Sequence, residues 1–258
     1  MNIRSRCTQL WFTPLLLSLV IISGPLRAQS AMDEPAKAPK KVHLHYLAAD
    51  KPDTITLLAP PPLPQSSEQA ADLATVRAVS QAAPSNDVAT AFSEKKFSAY
   101  TFAPEIGSFF QSSALPKTMA FLDRVQTDAE SVTDNSKDFF KRPRPYTFDP
   151  TLASGKLEKS FSYPSGHSTE SMVLALVLAE LFPEKQDAII GKARQIGWHR
   201  VEIARHYPTD IYAGRVLAQA IVREMKKNHH FKADIKAARK EIDFALHPPK
   251  LEMEPAAH

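Results

Sequence analysis

Glycine is scarce in this chain, at 7 of 258 residues, against a usual share of about 7%. Gly24, Gly107, Gly155, Gly166, Gly191, Gly197 and Gly214 are too scattered to write G-x-G-x-x-G. Gly191 and Gly197 stand one residue too far apart for a P-loop, and Trp198 follows them. The two commonest glycine-built phosphate cradles are thereby excluded, so any phosphate must be held mainly by side chains. Cysteine is scarcer still. Cys7 is the only one, and it falls in a segment that reads as an export signal. The mature chain would then have no disulfide, thiolate nucleophile or cysteine metal site. Long apolar runs are also missing beyond the N-terminus. Met172 to Phe182 is the best, and it is too short to span a bilayer and contains Glu180.

What is present begins with a targeting segment. Arg4 and Arg6 precede the apolar run Leu10 to Ile22, and small residues follow for cleavage after Ala28 or Ser30. Pro14 interrupts the run, which is short for a membrane anchor. Residues 1–30 are therefore expected to be a cleaved signal peptide, sending the protein to the periplasm without a stable membrane anchor. Their removal takes away three arginines and no acid, which lowers the formal charge from +4 to +1. No nucleic-acid partner is indicated.

Residues 31–54 read as a flexible lead-in, rich at first in Pro, Ala and Lys. Val42, Leu44 and Tyr46 alternate with His43 and His45, predicting one short extended segment with a polar face. The proline-rich run Leu57 to Pro64 excludes helix and is expected to lie extended over the surface. From Ser67 the pattern turns helical, with Ala71, Leu73, Val76 and Val79 at a 3.6-residue period. Further helices are expected from Leu115-Pro116 (Met119, Leu122, Val125), from Ser168 to Leu181 and from Pro183 to Ile203. Two more are expected, one from Thr209-Asp210 (Ile211, Val216, Leu217, Ile221) and one from about Lys232 to Leu246. The fold class is all-α, a single-domain helical bundle over residues 55–228, with a C-terminal helix and tail in 229–258. That tail carries His229, His230, His247 and His258, either a metal-binding cluster or simply a solvated end.

Three polar clusters interrupt the helical text. In the first, Lys137 to Tyr146, the aromatics and prolines among Lys137, Arg142 and Arg144 predict a segment that packs while its charges point at something. Arginine's planar fork suits phosphate oxygens, and lysine supplies a point charge. The second, Ser162 to Ser168, has the chemistry of a helix start. An anion there would meet the Ser165 hydroxyl and the Gly166 amide, with His167 beside it as a proton donor. The third holds Arg200, then His206 and Asp210 across a turn, where a carboxylate can fix the imidazole tautomer and leave the other nitrogen free. Alone, a Ser-Gly-His turn is a helix cap, and a His–Asp pair is a structural hydrogen bond.

Together the clusters say more. Lys137-x6-Arg144-Pro145, then Pro164-Ser165-Gly166-His167, then Arg200-x5-His206-x3-Asp210 resembles the three-part signature of the type 2 phosphatidic acid phosphatase (PAP2) superfamily. That superfamily includes bacterial class A non-specific acid phosphatases, lipid phosphatases and vanadium-dependent haloperoxidases. Leu57 to Pro62 followed by Gln69 to Leu73 is similar to the N-terminal segment of the exported class A enzymes. The chain departs from their pattern at Phe161, Ser168, His199 and Arg205.

The resemblance implies an exported acid phosphatase that acts on small phosphomonoesters through a phosphohistidine, with no metal or other cofactor. His206 would be the nucleophile, Asp210 its orienting partner and His167 the proton donor. Lys137, Arg144, Ser165, Gly166 and Arg200 would hold the phosphoryl oxygens. His206 would have to begin neutral and His167 protonated, which predicts a bell-shaped, mildly acidic pH profile. A homo-oligomer is the assembly that relatives suggest. A lipid-linked or diphosphate substrate, or haloperoxidase chemistry, are the alternatives within the same residues.

Overall fold

A computed structural model describes residues 44–248. The expected signal peptide, Val42, His43 and His258 lie outside the described residues. Among those described there is no strand, and the architecture is all-α.

Ten α-helices follow in order. α1 (Thr54–Leu57) is one turn, and α2 (Ser67–Ala82) starts where Ser66 caps the Gln69 amide at 3.1 Å. α3 (Ser85–Ser93) and α4 (Ala103–Ile106) lead to the long α5 (Pro116–Phe140). α6 (Pro145–Phe148) is again one turn, and α7 (Gly166–Leu181) begins at the N-cap Ser165. α8 (Gln186–Glu202), α9 (Pro208–Met225) and α10 (His229–Leu246) are the last helices among the described residues.

α7 is apolar nearly all round, and a helix of that kind belongs inside. It packs most extensively against α8 and α9, then α5, while α10 lies along α5. Leu122, Val125, Val173, Leu178, Leu217 and Ile221 are fully buried where these helices meet. α10 joins the same core through Phe231, Ile235, Ala238 and Ile242. A second apolar cluster, Val76, Val201, Ala204, Tyr207 and Ile211, ties α2 to the turn between α8 and α9.

Several expectations are corrected. His45 to Leu47 form bends rather than an extended segment, because Asp128 on α5 accepts the His45 and Tyr46 amides, each at 2.8 Å. Leu57 closes the single turn of α1, and only the run beyond it is extended, where Ala59 accepts a hydrogen bond from the Tyr163 hydroxyl at 2.6 Å. Phe139 does not pack inward: it is 54% exposed and meets Phe140 edge-on. Val216 likewise faces outward on α9. His229 and His230 form the first turn of α10, capped by Asn228, where a helix start at Lys232 was expected.

Candidate active site

The site forms where one end of α5, the start of α7, the end of α8 and the start of α9 converge. Gly214 makes the tightest approach possible. A Cβ there would come within 2.9 Å of the Ser165 carbonyl and 3.0 Å of Ser168 and Thr169. α9 can therefore lie directly on the first turn of α7, and Ser165 donates its amide to the Asp210 carbonyl at 3.1 Å.

Asp210 is fully buried and surrounded by donors. Its Oδ2 accepts from the Tyr207 amide at 2.9 Å, from Ser162 Oγ at 2.5 Å and from His206 Nδ1 at 3.2 Å. Its Oδ1 accepts from Arg142 Nη1 at 2.6 Å. A carboxylate so supplied holds the proton of His206 on Nδ1 and leaves a lone pair on Nε2. Burial, then the positive charge of Arg144, pushes His206 well below the ordinary histidine value, so its ring is neutral.

Arg144 faces that lone pair. Its Nη1 lies 3.0 Å from His206 Nε2 and donates to the Arg205 carbonyl at 2.8 Å. Its Nε donates to the Ser160 carbonyl at 2.9 Å. Arg200 comes from the last turn of α8. The chain then reverses through Ala204 at φ 52°, and the Arg205 and His206 amides both donate to the Arg200 carbonyl. Burial brings the Arg200 guanidinium down to about 10, which still leaves it cationic.

The start of α7 is built as expected. Ser165 accepts the Ser168 amide at 3.3 Å, while the Gly166 and His167 amides open the helix at its positive dipole end. Gly166 lets Lys137 approach the helix start closely: a Cβ would stand 3.2 Å from Lys137 Nζ and 3.2 Å from Glu170 Oε1. Lys137 is buried and pairs only loosely with Asp134, at 3.4 Å.

His167 Nε2 faces the Glu94 carbonyl at 3.1 Å and so carries the proton, and the ring lies 5.3 Å from that of Phe97. Its surroundings disfavour the imidazolium. Burial first, then Arg200, pushes His167 far below its ordinary value, and the carboxylate of Glu158 only partly offsets this.

All eight residues chosen from sequence thus fall into one site. The structure adds others. Arg142 lies beneath Asp210, donating also to Gln69 and Asp72, each at 2.7 Å, and stacking 3.9 Å from the Tyr207 ring. Glu94 joins His199 Nδ1 at 2.6 Å and Lys192 at 3.0 Å, which explains the histidine at 199 as a brace for the chain over His167. Ser162 stands beside the His206–Asp210 pair. Its place two residues before Pro164 was the one local signal that could have marked it. Nothing local marks Glu94 or Glu158, which arrive from distant loops.

A neutral imidazole backed by a buried carboxylate, three cations and a helix start together define a class: the all-α phosphatases that grip a phosphoryl group with side chains. Residues 125–233 of the chain match the family model of the PAP2 superfamily. An acid phosphatase of Zymomonas mobilis is 28% identical over 239 residues, 89% of this chain and 88% of that one. A non-specific acid phosphatase of Providencia stuartii is 31% identical over 150 residues, 56% of this chain and 60% of that one. A lipid A 1-phosphatase of Rhizobium etli is 38% identical over 69 residues, 27% of this chain and 28% of that one.

Among the described residues no helix is long and apolar enough to cross a membrane. No group of three or more metal-ligating side chains occurs among them either.

Proposed function

We propose that this protein is an exported acid phosphatase that hydrolyses phosphate monoesters through a phosphohistidine on His206. One observation carries the reading: Asp210 holds His206 Nδ1 at 3.2 Å while His206 Nε2 meets Arg144 Nη1 at 3.0 Å, in surroundings whose burial disfavours the imidazolium. Nε2 attacks phosphorus, and the bond to the ester oxygen breaks. Lys137, Arg144 and Arg200, with the Ser165 hydroxyl and the Gly166 amide, stabilise charge on the equatorial oxygens. Asp210 stabilises the positive charge that develops on the His206 ring. Water then cleaves the P–N bond and releases inorganic phosphate.

The departing alcohol oxygen needs a proton, and neutral His167 has none to spare. A phosphomonoester can supply it, because its second ionisation falls near about pH 6 and the monoanion still bears a P–OH hydrogen. His167 relays that proton to the leaving oxygen and later accepts one from the attacking water. This gives the expected acidic preference a source in the substrate rather than in a resting imidazolium. The scheme uses no metal. The apolar run of residues 10–22 behind Arg4 and Arg6 supports export to the periplasm.

The test is hydrolysis of p-nitrophenyl phosphate with and without a chelator, alongside His206→Ala. Chelator-resistant turnover is expected, lost in the variant while its circular dichroism and melting stay those of the parent, and vanadate should inhibit competitively. Full activity in His206→Ala would overturn the assignment.

A further inference from the structure

Glu158 lies in the segment of residues 153–160, on the approach to the start of α7. Its carboxylate bridges two arginines from distant elements. Oε2 lies 2.7 Å from Arg144 Nη2, and Oε1 pairs with Arg200 Nη2. On its other fork nitrogen Arg144 meets His206 Nε2 at 3.0 Å. The carboxylate thus sits one guanidinium away from the nucleophilic nitrogen, with each oxygen on a donor that a tetrahedral anion would need. Both histidines feel its charge, and although burial opposes it, Arg144 and then Arg200 hold Glu158 below the usual carboxylate range.

The main chain of this segment is fastened independently of that carboxylate. Tyr146 donates its hydroxyl to the Glu158 carbonyl at 2.8 Å. Arg205, one of the departures from the family pattern, donates to the Ser154 carbonyl and lies against the rings of Phe92 and Tyr146. Ser160 is held by Arg144 through its carbonyl at 2.9 Å and its hydroxyl at 3.0 Å. The Glu158 side chain is 26% exposed, and residues 153–157, 159 and 160 around it are exposed. The side chain can therefore turn out to solvent about its own bonds while the segment stays in place.

We propose that Glu158 is a specificity-determining residue, an internal carboxylate that occupies the phosphoryl subsite and yields only to ligands that bind both arginines better than it does. The inference rests on the phosphatase reading, which gives Arg144 and Arg200 to the phosphoryl oxygens. A monoanion such as a carboxylate or a phosphodiester exchanges like for like, one charge and two oxygens. A phosphomonoester brings a third terminal oxygen, and above its second ionisation a second charge, with Lys137 and the α7 N-terminus beside it. Monoesters are thereby favoured over diesters and carboxylates.

The experiment measures binding of inorganic phosphate and of bis(p-nitrophenyl) phosphate by calorimetry, in the full chain and in Glu158→Ala and Glu158→Gln, each carrying His206→Ala to prevent turnover. The diester should bind about tenfold tighter or more in both Glu158 variants, the scale of one charge-assisted hydrogen bond no longer contested. Phosphate should gain less, so the preference for phosphate narrows. With His206 intact, KM for p-nitrophenyl phosphate should fall by more than kcat changes. Unchanged or weaker diester binding would overturn the proposal and leave Glu158 a loop anchor. Glu158→Gln keeps the side-chain shape and the main-chain bond to Tyr146, so a folding failure of Glu158→Ala still leaves a readout. Failure of the phosphatase reading shows separately, as absent turnover in the parent with anion selectivity still measurable.

Discussion

Replacing Arg142 with leucine should cost this protein more stability than removing any catalytic side chain. Its guanidinium is 3% exposed and donates to Asp210, Thr209, Gln69 and Asp72 at 2.6 to 2.7 Å, with the Tyr207 ring 3.9 Å away. Leucine fills part of the volume and leaves Asp72 and Asp210 buried without their cation. Breaking a buried pair from one side costs about 3–5 kcal/mol. Two charge-assisted hydrogen bonds at about 1.5–3 kcal/mol each give the same scale. A domain with about 5–15 kcal/mol of total stability would lose a large fraction of it. Urea unfolding at pH 7 measures the change. Asp72→Asn in the Arg142→Leu background should restore part of it, with a coupling of about 1 kcal/mol or more between two contacting groups. Turnover should also drop, because Asp210 loses the partner that fixes Oδ1. A loss below about 1 kcal/mol, or strict additivity with Asp72→Asn, would refute the view that this network holds the catalytic turn.

Two glycines predict opposite outcomes for the same change. Gly214→Ala puts a Cβ 2.9 Å from the Ser165 carbonyl and should cost about 1–3 kcal/mol, with lowered kcat as α9 shifts on α7. Gly191→Ala, in α8 with nothing within 4 Å, should gain about 0.5–1 kcal/mol in thermal or urea unfolding. Glu170 is raised to about 7, by burial first. A carboxyl whose folded value lies above its unfolded one stabilises below about pH 4.3 and loses that contribution as pH rises through the folded value. Melting temperature should therefore fall between about pH 5 and 8, and Glu170→Gln should flatten that decline; an unchanged slope would assign it elsewhere. The falling alkaline limb of kcat/KM should move with the second ionisation of the phosphomonoester supplied. A limb that stays fixed across substrates of different acidity would give it to His167 instead.

Much of the site was legible because its marks are local. A serine cap before an apolar run, prolines at helix starts, and a histidine four residues before an aspartate need only neighbouring residues to take effect. Lys137, Arg144, Ser165, Gly166, His167, Arg200, His206 and Asp210 converge as their spacing implied. What failed to read locally was long-range. The N-terminus of α5 has no local side-chain cap, since Glu241 of α10 accepts the Lys117 and Thr118 amides at 3.0 and 2.7 Å. The short segment at residues 44–47 looked like strand because alternation was its only signal, but Asp128 takes its amides instead.

By itself the sequence determined the all-α class, most of the longer helices and the candidate residues, because caps, periodicity and motif spacing act over a few residues. Scarce glycine already excluded the two commonest glycine-built phosphate cradles. Only the tertiary structure divided the roles of Arg142 and Arg144, which sit two apart in one Arg-Pro-Arg-Pro run. Arg142 turns to Asp72 and Asp210 to support the catalytic turn, while Arg144 turns to His206 and Glu158. The fold also brought Glu158 onto both Arg144 and Arg200, and set His167 against the Glu94 carbonyl. Burial and the partners that distant segments bring set the charge and direction of each group, and no stretch of sequence contains them.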